Sequence, residues 1–321
     1  MRDALERFGL PSGVVEMVRS IYSARCFAIV DHAGRSSERR QHAGIAQGCP
    51  LSPYLFIIVQ TVLLHDVYGT LELLPEPDFV ITRDILYADD TLLVSHHCSN
   101  LQRMLAAIVE EGRKYGLELN WEKTVQIQIS TDRAITSPSG EHIKAVRDAI
   151  YLGGLISCDG KVATELNRRL GEANRIFKQL HRIWSRTSIG KKRKIHIYES
   201  CVLNKLLYSL DYVWLLKADR ARLDAFHCKC LRRLLGIRPS FLSRVSNAVV
   251  LQKASAKPLS QILLARQVAL YSKIMNSSCP ALVKAAVCND DGTPKSWAGR
   301  RKRGRPRQQW ASQVYKLSQH V

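Results

Sequence analysis

Two adjacent carboxylates, Asp89 and Asp90, stand in the segment ILYADDTLLV between two apolar runs. β-prone residues on either side of two turn-tolerant ones read as strand, two-residue turn, strand, with the aspartates at the turn. Asp is common in exposed turns, and a plain hairpin turn is one reading of the pair. The other reading starts from the flanks, which are almost wholly apolar and predict a hairpin buried in a sheet, where unpaired carboxylates repel one another and are costly to desolvate. A divalent cation resolves that conflict: Mg2+ takes a few carboxylates together with phosphate oxygens and water, and two such ions about 4 Å apart activate an attacking oxygen while stabilising a leaving one. The chemistry of such a site is phosphoryl or nucleotidyl transfer.

Charge along the chain points to the same class of substrate. The 321 residues carry a formal net charge of +20, unevenly: residues 1–160 hold 15 Lys and Arg against 20 Asp and Glu, residues 161–321 hold 33 against 8. A mildly acidic half followed by a polycationic one is expected where one part does chemistry and another holds a nucleic acid through its phosphates. A well-solvated basic surface is the alternative. With 46% hydrophobic residues the composition is that of a globular protein. The N-terminal stretch MRDALERFGL has no apolar core of signal-peptide length. The longest apolar run, LSPYLFIIVQTVLL, is interrupted by Ser52, Pro53, Gln60 and Thr61 and reads as too short to cross a bilayer. An intracellular protein that engages no membrane is therefore expected. Nine cysteines, an odd number without a C-x-x-C pair, predict reduced and mostly buried thiols, and His227-Cys228-Lys229-Cys230 lacks the partner ligands of a zinc site.

The elements that must position the acids follow from periodicity. Residues 1–22 read as two helices around the turn Gly9–Gly13, CFAIV as a strand running into a hairpin, and GIAQGCPLSP as a Gly/Pro-rich loop ahead of a buried helix over Tyr54–Leu64. Leu101, Met104, Leu105, Ile108 and Val109 predict a helix that Gly116 ends, and LELNWEKTVQIQIS alternates as a strand. Helices and strands interleaved around a small antiparallel sheet make an α+β domain up to about residue 160. Beyond it, Leu166, Leu170, Ala173, Phe177, Leu180 and Trp184 define an amphipathic helix whose other faces carry Arg168, Arg169, Arg175, Lys178 and Arg182. Further helices are expected over 191–216, from an N-cap at Asp219 to Gly236, and over 259–275, before the basic tail SWAGRRKRGRPRQQW.

Four blocks in order, GIAQGCPLSPYLF, LYADDTLLV, LELNWEKT and YLGGLISCDG, resemble the reverse transcriptases of non-LTR retrotransposons, the long interspersed elements. CLRRLLGI and RRKRGRPRQQW look like the downstream region of that family, and YLGGLISCDG and RGRPRQQW favour it over an intron maturase or a telomerase. The resemblance implies an RNA-directed DNA polymerase that extends a primer 3′-hydroxyl on an RNA template with dNTPs and two Mg2+ ions, or Mn2+ in their place. On this likeness Asp89 is the principal metal ligand and Asp90 its acidic partner, while Gln47, Gly48, Pro50 and Tyr87 belong to the pocket for template base and incoming nucleotide. Lys123 corresponds to a lysine near the departing pyrophosphate, Asn120 shapes its turn, and Tyr151, Leu152, Gly153 and Gly154 match the primer-grip hairpin. The bland alternatives are an ordinary loop at 47–50, a solvent-facing lysine and a simple Gly-Gly turn.

The implied architecture is a right-hand polymerase palm over 1–160, a helical thumb-like region over 161–240, a helical downstream region over 241–298 and a basic tail over 299–321. In the tail, Arg301, Lys302, Arg303, Arg305 and Arg307 fit three uses: an AT-hook entering an A·T-rich minor groove, a nuclear-localisation run, or unspecific backbone contact. The family's palm also has a strand with a further metal-binding aspartate ahead of the helices that open this chain. The chain is expected to lack it, since Asp31 matches a variable hairpin instead and Asp3 lies in a helix. Polymerase activity is accordingly expected to be impaired in the isolated chain, and a non-catalytic nucleic-acid-binding remnant is the alternative.

Overall fold

The structure, a computed structural model, describes residues 1–32, 34–41, 44–72, 83–276, 281–289, 291–295 and 308–318. The tail residues Arg301, Lys302, Arg303, Arg305 and Arg307 fall outside the described residues. The chain divides into two compact units, Met1–Leu152 with Ser157–Asp159, and Gly153–Ile156 with Gly160–Val321.

In the first unit, α1 (Arg2–Arg7), α2 (Ser12–Ser23) and α4 (Cys98–Lys114) surround α3 (Ser52–Glu72). The last is apolar on successive faces because it feeds three clusters: Leu55 meets Leu5, Val15 and Val18; Val59 and Val62 meet Ala4; Leu63, Val67 and Leu71 meet Met104 and Ala107. Here the sequence reading needs correction. Polar Gln60, Thr61, His65 and Asp66 do not interrupt the helix, and Ser52–Leu71, 20 of its 21 residues, are long and apolar enough, by length and composition alone, to cross a membrane. It packs on three neighbouring helices, with Leu55, Val59, Val62, Leu63, Val67 and Leu71 buried.

Asp66, near the end of α3, accepts a 2.7 Å hydrogen bond from Arg7 Nη1 and one of 2.6 Å from the Tyr115 hydroxyl. The Arg7 guanidinium, aided by Tyr115, holds this carboxyl well below the usual carboxylate range. The first helix is thereby tied to the third and to the end of the fourth. Gly116, at φ +70, reverses the chain there as its position predicts, with Leu117 N–H returning to Gly112 O at 2.9 Å.

The strands form two-stranded ribbons, not one antiparallel sheet. β1 (Cys26–Phe27) pairs with β4 (Arg39–Arg40), β2 (Val30–Asp31) with β3 (Gly34–Arg35), and β5 (Arg83–Tyr87) with β6 (Asp90–Val94), all antiparallel. β7 (Val125–Ile127) and β8 (Lys144–Val146) are parallel. The alternating segment 117–130 yields only the three residues of β7, because Asn120 caps a turn instead: its carbonyl accepts from the Lys123 and Thr124 N–H groups and its side-chain oxygen accepts from Lys123 N–H at 3.1 Å. β9 (Asp148–Tyr151) and β10 (Gly154–Ser157) flank Leu152 and Gly153, both at positive φ as a two-residue primed turn requires.

The second unit is helical, led by α5 (Val162–Gln179), α6 (His181–Ser185), α7 (Lys191–Tyr198) and α8 (Asn204–Leu207), with a π-helical turn at Glu199–Leu203 joining the last two. They are followed by α9 (Lys217–Leu235), α10 (Ser240–Ser243), α11 (Asn247–Ala254), α12 (Leu259–Met275), α13 (Ala281–Val287) and α14 (Trp310–Ser318). One core collects Leu166, Phe177, Tyr198, Leu206, Leu223, Leu231, Val250 and Leu263. Two expectations change. The N-cap of α9 is Leu216, with Asp219 inside the first turn paired to Arg222 at 3.3 Å. Arg169 is not on a basic outer face but 1% exposed, since position 169 lies between Leu166 and Ala173 on the buried stripe. All eight described cysteines are unbridged, and only Cys228, Cys230 and Cys288 are buried, so the thiols are fewer inside than expected.

Candidate active-site hairpin

The register of the Asp hairpin places the turn one residue earlier than its sequence implies. Tyr87 pairs with Asp90, so the two turn residues are Ala88 and Asp89, and Asp90 opens β6. Ala88 adopts φ +52, a left-handed conformation that costs a residue with a Cβ about 1 kcal/mol or more. This sharp reversal leaves Asp89 at the tip and Asp90 at the start of a strand.

Pairing also sorts the faces. Asp84, Leu86, Thr91 and Leu93 share one face, and Leu93 packs on the core formed by α3 and α4. The Tyr68 hydroxyl of α3 donates to Asp84 on that face; burial and the carboxylate together push the Tyr68 pKa well up. Ile85, Tyr87, Asp90, Leu92 and Val94 share the opposite face, where Ile85 is 50% and Tyr87 64% exposed. The apolar flanks predict a hairpin buried in a sheet, and the burial found is one-sided. Two strands packed on helices from one side leave the other open, and the carboxylates stay in water.

Among the described residues, neither the Asp89 nor the Asp90 carboxylate takes part in a hydrogen bond or ion pair, and no group of three His, Cys, Asp or Glu side chains is assembled as a metal site. Asp84 is engaged by Tyr68, and Asp31 lies in the β2–β3 hairpin. Two unengaged carboxylates on a fixed turn fit part of the oxygen shell of a hard divalent cation, which completes its coordination with phosphate and water.

Tyr151 is brought to the hairpin by a hydrogen bond: its hydroxyl donates to Ile85 O at 2.9 Å. Burial, and next the charge of Asp90, raise its pKa. Gln47, Gly48 and Pro50 sit exposed in the loop before α3, where Gly48 takes φ +80 in the turn Ala46–Cys49. The loop is moored by a 3.1 Å hydrogen bond between Tyr22 and Ser52, and no hydrogen bond among the described residues joins it to the Asp hairpin. Lys123 is exposed on its Asn120-capped turn.

A network that motif reading missed holds the turn beside Tyr151. Within the second unit, Arg169 donates from Nε to Glu165 Oε1 at 2.7 Å, from Nη2 to Ser209 Oγ at 3.0 Å, and from Nη2 to the Gly153 carbonyl. Ser209 Oγ donates to Glu165 at 2.6 Å, and the Arg169 guanidinium stacks 4.8 Å from the Tyr208 ring centre. Burial raises the Glu165 pKa, but hydrogen bonds from Arg168, Ser209 and Arg169 outweigh it and hold the carboxyl below its ordinary value. The signal was present in sequence: Glu165 and Arg169 are four apart, and Arg169 falls on the apolar stripe.

Residues 2–156 match the family model described as reverse transcriptase (RNA-dependent DNA polymerase). The chain is 28% identical over 159 residues to a transposon-derived protein of Caenorhabditis elegans, covering 48% of this chain and 57% of that one. It is 30% identical over 127 residues to the retrovirus-related Pol polyprotein from the type-2 retrotransposable element R2DM of Drosophila melanogaster, covering 40% of this chain and 12% of that one. A likeness of 24% over 246 residues to an RNA-directed DNA polymerase from transposon X-element, also of Drosophila melanogaster, covers 71% of this chain and 25% of the relative. The chain thus spans just over half of the first of these relatives and a quarter or less of the other two. The Asp hairpin and the blocks around it lie inside the matched residues, so residues 2–156, just under half of the chain, are similar to the reverse transcriptase family, a likeness shared with the relatives named for retrotransposable elements and a transposon.

Proposed function

We propose that residues 1–160 are the palm of an RNA-directed DNA polymerase, which extends a primer 3′-hydroxyl on an RNA template with dNTPs. The observation that carries this reading is the pair Asp89 and Asp90, unengaged on a strained turn and inside the family match. In this reading the two carboxylates hold Mg2+ on the rigid β5–β6 hairpin. A cation held there would supply charge neutralisation at phosphate oxygens and a more acidic attacking hydroxyl. Tyr151 fixes the hairpin main chain through Ile85 O, Gln47 and Gly48 border the nucleotide, with Pro50 stiffening their loop, Tyr87 lies against the incoming sugar or base, and Lys123 faces the leaving pyrophosphate. Leu152, Gly153 and Gly154 guide the primer end, and the cationic helices from residue 161 onward hold the duplex as a thumb. The tail, with Arg301, Lys302, Arg303, Arg305 and Arg307, adds contacts to phosphates or to A·T-rich DNA.

A second reading, a nucleic-acid-binding protein without catalysis, is favoured by one observation: among the described residues no third acid joins Asp89 and Asp90. Primer extension on an RNA template with Mg2+ separates the two. The first reading expects dNTP-dependent elongation that Asp89→Asn abolishes while duplex affinity stays the same. Salt-sensitive binding with no elongation by the wild-type chain refutes it and leaves the second.

A further inference from the structure

Residues 225–289 contain ten Lys and Arg and not one Asp or Glu. From this acid-free stretch two large apolar side chains project: Phe241 is 78% and Leu242 60% exposed, side by side on α10. Loops that carry such residues ordinarily turn them inward, because leaving a Phe or Leu in water forfeits roughly 1.5–3 kcal/mol each. Here the main chain does not permit it.

Both ends of the loop are pinned. Gly236, at φ +72, ends α9 with Ile237 N–H returning to Arg232 O at 2.8 Å, and Ile237 packs on the core. Val245 packs on the same core, and the buried Arg232 guanidinium donates to the Val245 carbonyl at 2.7 Å and to Asn247 Oδ1 at 2.9 Å. Between the pins, Leu242 N–H bonds Pro239 O at 3.0 Å and Arg244 N–H bonds Ser240 O at 2.9 Å. The tip is therefore a fixed shape with its apolar side chains outward. Arg238 and Arg244 flank it, both exposed and, among the described residues, without an ion-pair partner.

We propose that Phe241 and Leu242 form a base-stacking tip for single-stranded nucleic acid, with Phe241 against the face of an unpaired base and the neighbouring phosphates on Arg238 and Arg244. Two side chains make too small a patch for a stable protein interface, which takes about 800 Å2 from each partner. One aromatic ring is the size of a base, and cations without matching acids complement a polyanion. The tip belongs to the second unit and does not depend on polymerase activity in the first.

The test is fluorescence anisotropy of the full chain with labelled oligothymidylate, an abasic strand of equal length, and vesicles containing phosphatidylserine. Phe241→Ala should weaken oligothymidylate binding about tenfold at an unchanged salt slope, because it removes a ring and no charge. Phe241→Trp should bind at least as tightly as the wild type, and the abasic strand should not distinguish the variants. Replacing Arg238 and Arg244 together by Gln should reduce the salt slope by about 1.4. Equal binding of Phe241→Ala and wild type to oligothymidylate, an equal deficit on the abasic strand, or a deficit confined to the vesicles each overturns the proposal. Absent primer extension with this pattern intact removes the polymerase reading alone; extension with the pattern missing removes the tip alone.

Discussion

The Tyr151 hydroxyl reaches the main-chain carbonyl of Ile85 at 2.9 Å, so the strand of the proposed primer grip is bonded to the strand that leads into the two aspartates. Ile85 is four residues from Asp89, on the outward face of β5, where among the described residues no third strand is paired. Burial and the nearby Asp90 charge favour the protonated hydroxyl, which keeps the donor in place.

Tyr151→Phe removes this bond and nothing of the ring. A loss of about 0.5–1.5 kcal/mol in urea denaturation is expected, with faster amide exchange across the Ile85–Leu92 pair. Unchanged exchange in β5 and β6 would show that the bond does not restrain the hairpin.

The turn at Gly153 should be sensitive to an added side chain. An added Cβ would sit 3.2 Å from the Tyr208 ring and would be forced to φ +77, so Gly153→Ala should cost at least about 1 kcal/mol. Arg169→Ala leaves Glu165 to Arg168 and Ser209 but removes the charged donor to Glu165 and the Gly153 carbonyl, and should cost about 1.5–3 kcal/mol. The two act on one network, so thermal denaturation of the double variant should show a loss smaller than the sum. Strict additivity would argue that the Arg169 contact to Gly153 O carries little.

Acid should loosen the second unit through His227. Burial depresses its pKa from the ordinary 6.5 to about 4, and the Tyr198 hydroxyl lies 3.0 Å from Nδ1. The folded state thus favours the neutral ring, and its contribution to stability is complete above pH 6.5 and is lost as pH falls toward 4. Denaturation midpoints should drop across that window by up to about 1.4 kcal/mol per pH unit, and His227→Gln should flatten the slope. A wild-type stability that is level between pH 6.5 and 4 refutes the assignment.

The sequence by itself determined what depends on neighbours along the chain. The helix ends at Gly116 and Gly236 follow from residues that accept a left-handed conformation, the Asn120 turn from a side chain that bonds its own backbone, and the likeness of residues 2–156 to reverse transcriptases from four short blocks in order. Tertiary structure decided what depends on distant packing. The aspartate turn slipped by one residue because cross-strand register, not turn propensity, chose Tyr87 opposite Asp90. The hairpin is open to water on one face because a single layer of helices covers only the other, and β7 found a parallel partner that no local pattern announces. Arg169 looked like a surface cation until Glu165, Ser209 and the Gly153 carbonyl, separated from one another by up to 56 residues, closed around it. A charge can be buried only when its hydrogen-bond partners are supplied from elsewhere in the fold, and local sequence does not show where they come from.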